Sequence, residues 1–505
     1  MFMLYPLTWG GPKRMNILLA SLTLLAISFP VVYVVGKKSA KASGMTLLLA
    51  ILSSLILITL TYRDISLKGE HLECYYWLPI LGSPLTLFTD GIGLLMATTA
   101  LTIMFFAVLY SLGYMSETGS LAEYYALMTL LTVGLVGIFL TSNLLVFYFC
   151  WEFMLVPTYF ILIGWGGRKS IGAAFKFFIF THAGAVAILL GIGATYFLTG
   201  TLDILEARTL ISSAPKDLLF WIFLAYLGGF LTKMAIVPFH IWLPDTYVES
   251  PIPLAAILSG VVTEAGAYGI LRIPFGMVLP AIINVPLIHQ TFHFISVLGV
   301  ISAIYGSMIA LVDNNLKRIA AYSSISHMGY ILFGLSLCPT VEGMTGTVLH
   351  LLTHGISKSL LFLNVGAIIK CTGQCDIRRM GGLASIMPLT SVSTAVSLLS
   401  IAGVPPLACF LSEFLIFTGG FSAGMVDGLY SITTSLMLLV TVLGLGYSIR
   451  LFGKVFFGSL NINSNPELPL TMVSSIVFLS LLTVALGIYP SPVLKLISIN
   501  ALPLS

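Results

Sequence analysis

The sequence predicts an all-α polytopic membrane protein, and three observations predict it. Of 505 residues, 58% are hydrophobic and 8% charged, with a mean hydropathy of +1.04. Soluble globular chains carry roughly 25% charged residues, so this chain cannot cover itself with a polar surface. Most of its length falls into apolar stretches of about 20 residues, the length that crosses a hydrocarbon core as a helix. These stretches do not alternate polar and apolar positions, as strands of a membrane barrel must.

Fourteen spans are expected, at 16–36, 45–62, 92–115, 124–141, 143–166, 171–199, 217–242, 251–277, 292–313, 317–337, 343–371, 388–419, 428–455 and 468–489. The stretch "MFMLYPLTWGGPKRM" precedes the first span without a convincing cleavage signal, so that helix is expected to stay as an anchor. The longest connection, 63–91, contains "HLECYYWLPILGSPLTLF", whose aromatics and prolines suit an interfacial hairpin. The other connections are short, giving one membrane domain over 1–505. Loops after odd-numbered spans hold twelve basic residues (Lys37, Lys38, Lys41, Arg168, Lys169, Lys317, Arg318, Lys370, Arg378, Arg379, Arg450, Lys454). The other side holds eight (Lys13, Arg14, Arg63, Lys68, Arg208, Lys216, Arg272, Lys495). The excess places both termini outside the cytoplasm. Basic tracts stop at pairs, which excludes a nucleic-acid surface and leaves the lipid bilayer as the main surrounding. Of six cysteines, only Cys371 and Cys375 in "CTGQC" lie close together, and one pair does not make a metal centre. No metal and no cofactor are expected in this chain.

Six charged residues remain inside spans: Lys176, Lys233, Lys358, Glu152, Glu264 and Glu413. A charge at a helix centre costs about 2.5–3.5 kcal/mol on insertion scales, so all six facing lipid would cost on the order of 15–20 kcal/mol. They are expected to face protein or water and to mark an ion path. Lys176, near a span end, can instead snorkel to the interface. His350, His354 and Lys358 follow at i, i+4 and i+8 on one helix face, while His327 and His182 lie in other spans. The stripe suits a proton relay. Haem ligation would need histidines opposed across two helices and would leave Lys358 without a role; each histidine could also simply bond a backbone carbonyl. In "GGFLTKMAIVPFHIWLPD", Pro238 breaks the helix just after Lys233. Such breaks are tolerated where they line a wet, protein-lined cavity. There, desolvation favours the neutral amine and a nearby carboxylate favours the ammonium, so Lys233 can load and release a proton. Pro405 and Pro406 break a second helix ahead of Glu413. Paired broken helices in two halves mark inverted-repeat transporters.

At "KMAIVPFHIWLPDTYVESP" the chain resembles the antiporter-like subunits of respiratory complex I and its relatives, which include membrane-bound hydrogenases, the F(420)H(2) dehydrogenase and Mrp-type antiporters. "WEFMLVPTYFIL" at 151–162, "LKRIAAYSSISHMGY" at 316–330, "HGISKSLLFL" at 354–363 and "AGVPPLACFLSEF" at 402–414 fall in the same order. The resemblance implies two inverted five-helix repeats, 124–277 (helices 4–8) and 292–455 (helices 9–13). It implies that Glu152 modulates Lys233, that His327, His354 and Lys358 form a central polar axis, and that Glu413 stands at the outlet. A glutamate at Glu413 matches the M-type subunit (mitochondrial subunit 4). Two positions depart from that type: Glu264 stands where M-type chains carry a lysine, and Lys358 follows the L-, N- and antiporter-type pattern. Glu264 is therefore expected to balance Lys358. The implied function is that of a proton-translocating, non-redox subunit of a redox-driven complex. Its partners would be other membrane subunits and, indirectly, an arm with iron–sulphur subunits, in a prokaryotic cell membrane or else an organellar inner or thylakoid membrane. A Na+/H+ antiporter subunit without redox partners is the alternative, and a scaffold with an inactive axis is a third reading.

Overall fold

The computed structural model describes residues 16–78, 82–116, 120–338, 340–460 and 467–499. The stretch before the first span, with Lys13 and Arg14, and the middle of the 63–91 connection lie outside the described residues. Among the described residues, eleven helices are long and apolar enough to cross a membrane. They begin with α1 (Ile17–Gly36) and α2 (Ala40–Leu60), the latter continuing into α3 (Tyr62–Lys68). Next come α4 (Gly91–Tyr114), α5 (Ala122–Leu140), α6 (Leu144–Trp165) and α7 (Ser170–Thr199). After the short α8 (Ile204–Leu210), three expected spans lie on helices outside this set of eleven. The 217–242 span is divided into α9 (Lys216–Lys233) and α10 (Trp242–Glu249). The helix Ile252–Ile282 comprises α11 (Ile252–Ile257), α12 (Glu264–Ile270) and α13 (Leu279–Ile282), joined by π-helical turns at Leu258–Val262 and Leu271–Val278. Then follow α14 (Pro286–Val312), α15 (Leu316–Ser336) on the 317–337 span, and α16 (Val341–Thr372). The 388–419 span is divided into α17 (Pro388–Ile401) and α18 (Ala408–Gly424). The chain continues with α19 (Gly428–Phe456), α20 (Leu470–Ile488) and α21 (Ser491–Ile499).

Ends differ from expectation where a local signal overrides hydropathy. Helix α2 starts five residues early because the Ser39 hydroxyl accepts from the Ala42 amide at 3.3 Å. Helix α14 starts early on Pro286, which is preorganised for a first turn. Ile252–Ile282 and α16 are buried along nearly their whole length and form the centre of the bundle.

After α3, the 63–91 connection holds the expected hairpin, and its arms are strands, an element the all-α class did not include: β1 (Glu70–Tyr75) pairs antiparallel with β2 (Leu85–Asp90). Its buried Glu73 accepts from the amides of Leu18 (2.8 Å) and Leu19 (3.0 Å), donors that the first turn of α1 cannot satisfy internally. His71 bridges Glu73 Oε1 (3.0 Å) and Asp64 Oδ2 (2.7 Å). The Glu73 bond, with help from Asp64, holds His71 above its usual pKa. Burial pushes the Glu73 carboxyl up, but the bonds from His71, Leu18 and Leu19 outweigh it and leave the group below its usual value.

Two staples repeat along the chain. Asn143 caps α6 and pairs in an antiparallel bridge with Asp203, just past the left-handed Gly200 that ends α7. Asn315 caps α15 and pairs in the same way with Asp376, just past the left-handed Gly373 that ends α16. Leu144 N bonds Leu202 O (2.8 Å), and Leu316 N bonds Cys375 O (2.9 Å). With each intervening span crossing once, the two staples lie on opposite faces. The first lies against the hairpin, where Asn143 Nδ2 donates to Pro84 O at 2.9 Å. The second lies among Lys317, Arg318, Arg378 and Arg450, and Arg450 Nη1 donates to Asp313 O at 2.6 Å.

Candidate functional site

Helix α9 ends at Lys233 for a local reason. Pro238 lacks an amide, Ala235 takes φ +54°, and the peptide before Pro238 is cis. The loosened backbone finds other partners: the Trp242 indole donates to Thr232 O (3.0 Å), and Val237 N donates to the Ser302 hydroxyl (3.1 Å). Lys233 is buried between the rings of Trp151 (5.5 Å) and Phe177 (5.3 Å), and its Nζ has no hydrogen-bond partner among the described residues. Glu152, next to Trp151 on α6, is the carboxylate whose charge acts on Lys233. Its Oε1 lies 3.7 Å from His182 Nδ1 on α7, and it forms no ion pair with Lys233 among the described residues.

The second cluster forms around α16. At Gly355 this helix meets Gly260 backbone to backbone, and a Cβ on either residue would overlap the other's carbonyl oxygen. The approach brings His354 Nδ1 to 2.5 Å from Glu264 Oε1, with both side chains fully buried. The His354 ring stacks on His327 of α15 (centroids 4.9 Å apart), and His327 Nδ1 lies 3.2 Å from His350 Nε2. His350 Nδ1 reaches the Ser412 hydroxyl of α18 at 2.8 Å. Beside Ser412, the Glu413 carboxylate packs on Gly403, whose φ of +65° opens the second break ahead of cis Pro406. One donor atom each of His327, His350 and Glu413 lie within 4.8 Å of one another. Lys358, one turn beyond His354, donates to the Ser323 hydroxyl and to Ala320 O (3.3 Å).

Six expected residues thus converge: Glu264, His327, His350, His354, Lys358 and Glu413. Lys233 lies at the neighbouring break, where α12 packs on α9 with Gly266 against Met234 and the Phe230 carbonyl. Lys176, Glu152 and His182 lie off the axis, as snorkelling allowed for Lys176, and Glu264 makes a bond that was not anticipated. Lys176 does not join the axis; it is exposed and pairs with Asp245 Oδ2 at 2.5 Å, because its position on α7 faces outward. Glu152 and His182 are not enclosed either, with side chains 21% and 44% exposed on the outer flank of α6 and α7. Glu264 bonds His354, although its charge also acts on Lys358. Ser412, Ser323, Trp151 and Phe177 were missed. The serines left one signal, a density of small hydroxyl residues inside apolar spans, as in "YSSISH".

Residues 141–439 match the family described as NADH:quinone oxidoreductase/Mrp antiporter, TM. The chain is 31% identical to F(420)H(2) dehydrogenase subunit M of Methanosarcina mazei over 95% of this chain and 96% of that one. It is 31% identical to NADH-quinone oxidoreductase subunit M of Rickettsia conorii over 95% and 96% of the two chains. Among solved structures, a chain of respiratory complex I from Thermus thermophilus superimposes with a TM-score of 0.83 at 24% identity, over 97% of this chain and 100% of that one.

Proposed function

Because the chain belongs to the NADH:quinone oxidoreductase/Mrp antiporter membrane family, we propose that it is the M-type, proton-translocating subunit of a redox-driven membrane complex. The observation that carries this reading is the buried line of titratable groups between the two helix breaks. Lys233 stands at the first break and Glu413 beside the second; Glu264, His354, His327 and His350 are linked to one another by bonds or ring contacts, and His327 and His350 come within 4.8 Å of Glu413. Lys233 Nζ, Glu264 Oε2 and His354 Nε2 are buried without a protein partner among the described residues. Buried polar groups of this kind are bridged by ordered water, which also carries protons. Glu152 sets the charge state of Lys233 from the outer flank, and Lys358 acts as a side station held by Ser323. The groups exchange protons as a set, so each transfer shifts its neighbours.

The chain carries no redox group in this scheme. A haem between the histidines is disfavoured because the rings of His327, His350 and His354 stack on one another, with centroids 4.9–5.7 Å apart, and leave no gap for a macrocycle between two opposed imidazoles. Electrons move elsewhere, in an arm with iron–sulphur subunits, while other membrane subunits pack beside this one in a prokaryotic cell membrane. Relatives above 30% identity named as subunits of electron-transferring dehydrogenases support this over gradient-driven Na+/H+ exchange. The deciding measurement is proton uptake per electron by the complex reconstituted in vesicles. Lys233→Ala is expected to lower pumping at least tenfold, on the order of what one positioned proton-transfer group contributes, with the assembled subunits unchanged. Full pumping in the variant would mean the axis is vestigial. Proton movement driven by a Na+ gradient without an electron donor would favour the exchange reading.

A further inference from the structure

A second cluster of ligating side chains lies far from the proton axis and plays no part in it. His289 and His293 are one turn apart at the start of α14, and Asp427 caps the start of α19. Asp427 divides its oxygens: Oδ1 accepts from Leu429 N (3.0 Å), while Oδ2 receives His293 Nε2 (2.6 Å) and His289 Nε2 (3.4 Å). All three donor atoms fall within 4.8 Å of one another. The His293 ring is braced edge-on by Tyr430 (5.7 Å), and Ser296 bonds Thr433 (3.1 Å) one turn inward, so the two helix ends are held in register.

We propose that His289, His293 and Asp427 form a binding site for a divalent transition-metal ion of the zinc type, clamping α14 to α19 at the membrane face that carries the β-hairpin. Two neutral imidazoles and one carboxylate are the donor set that borderline-soft Zn2+ takes, with a fourth position left to water. Bonds of about 2.0 Å in a tetrahedron separate donors by roughly 3.3 Å. The His289–Asp427 distance already fits, and the His293–Asp427 distance has to open by somewhat less than 1 Å. Small rotations of the His293 and Asp427 side chains, 29% and 26% exposed, supply that. Hard Mg2+ or Ca2+ would not choose two imidazoles.

The test uses the full chain within its detergent-solubilised complex, stripped with a chelator and titrated with Co2+, then competed with Zn2+. One equivalent of Co2+ giving the visible band of a tetrahedral site, displaced by Zn2+, is expected. Asp427→Asn keeps the helix cap but removes the anionic oxygen, and His289→Gln changes an exposed side chain. Each should weaken binding at least about tenfold, the loss that even outer-shell changes bring. Zn2+ should also raise the melting temperature of the unsubstituted protein alone, as selective binding to the folded state requires. Unchanged binding in both variants would overturn the proposal, as would binding lost only in Cys371→Ser or no stoichiometric Co2+ site at all.

Discussion

The 2.5 Å contact between Glu264 and His354 is where the residue scale departs most from the sequence. Periodicity gives the stripe on α16 correctly, since His350, His354 and Lys358 recur at helical spacing. The bond from Glu264 to His354 was not legible beside the expected charge balance with Lys358, because the turn just before Glu264, Leu258–Val262, is π-helical. One extra residue in that turn rotates everything after it relative to an ideal helix. Glu264 then meets His354, and Lys358 falls to Ser323. Glutamine at this position keeps a hydrogen-bond acceptor for His354 but holds no charge and carries no proton. Glu264→Gln is expected to lower protons pumped per electron by about tenfold while the complex assembles and transfers electrons normally. Unaffected pumping would remove Glu264 from the route. Ser412→Ala should act more weakly, as it removes only the hydroxyl that orients His350.

At the scale of elements, the proline-marked breaks were legible because proline's missing donor acts locally. The convergence of α16 with Ile252–Ile282 was not, since a contact between Gly260 and Gly355 has no signature in either segment alone. Gly355→Val forces the two backbones apart; overpacking of this kind typically costs about 1–3 kcal/mol. A lower melting temperature in detergent, together with lost pumping, checks it. The hairpin was legible as a connection, but its capping of α1 was not, because Glu73 lies 55 residues from Leu18. Its pH behaviour follows from the two shifts. His71, raised, stabilises fully below its unfolded value near 6.5 and ceases to do so as pH rises through its higher folded value. Glu73, lowered, stabilises above its unfolded value near 4.5 and ceases to do so as pH falls through its lower folded value. Protection of the Leu18 and Leu19 amides from hydrogen exchange, with the intrinsic pH dependence of exchange divided out, should therefore be greatest between these values, at mildly acidic pH, and weaker on both sides. A flat profile in His71→Gln on the alkaline side would assign that limb to His71.

For the molecule as a whole, Glu152 and His182 sit on an outer flank otherwise made of exposed Phe149, Phe153 and Phe175. A carboxylate facing lipid is costly, so this flank is expected to be covered by a neighbouring membrane subunit. A cysteine at Phe153→Cys should react with a thiol reagent in the isolated chain and be protected in the assembled complex; equal reactivity would leave the flank to lipid. Composition made the membrane class legible, but which flank is covered depends on surfaces that one chain does not contain. The staples at Asn143–Asp203 and Asn315–Asp376 bear on direction. The same fastening recurs on both faces, whereas the β-hairpin lies on one of them, so only part of the frame repeats when the molecule is turned over. The two breaks differ in chemistry, with a lysine placed just before one and a glutamate just after the other. On the proposed axis, exchanging those two side chains, rather than rebuilding any helix, is the change expected to disturb proton transfer, read as protons pumped per electron.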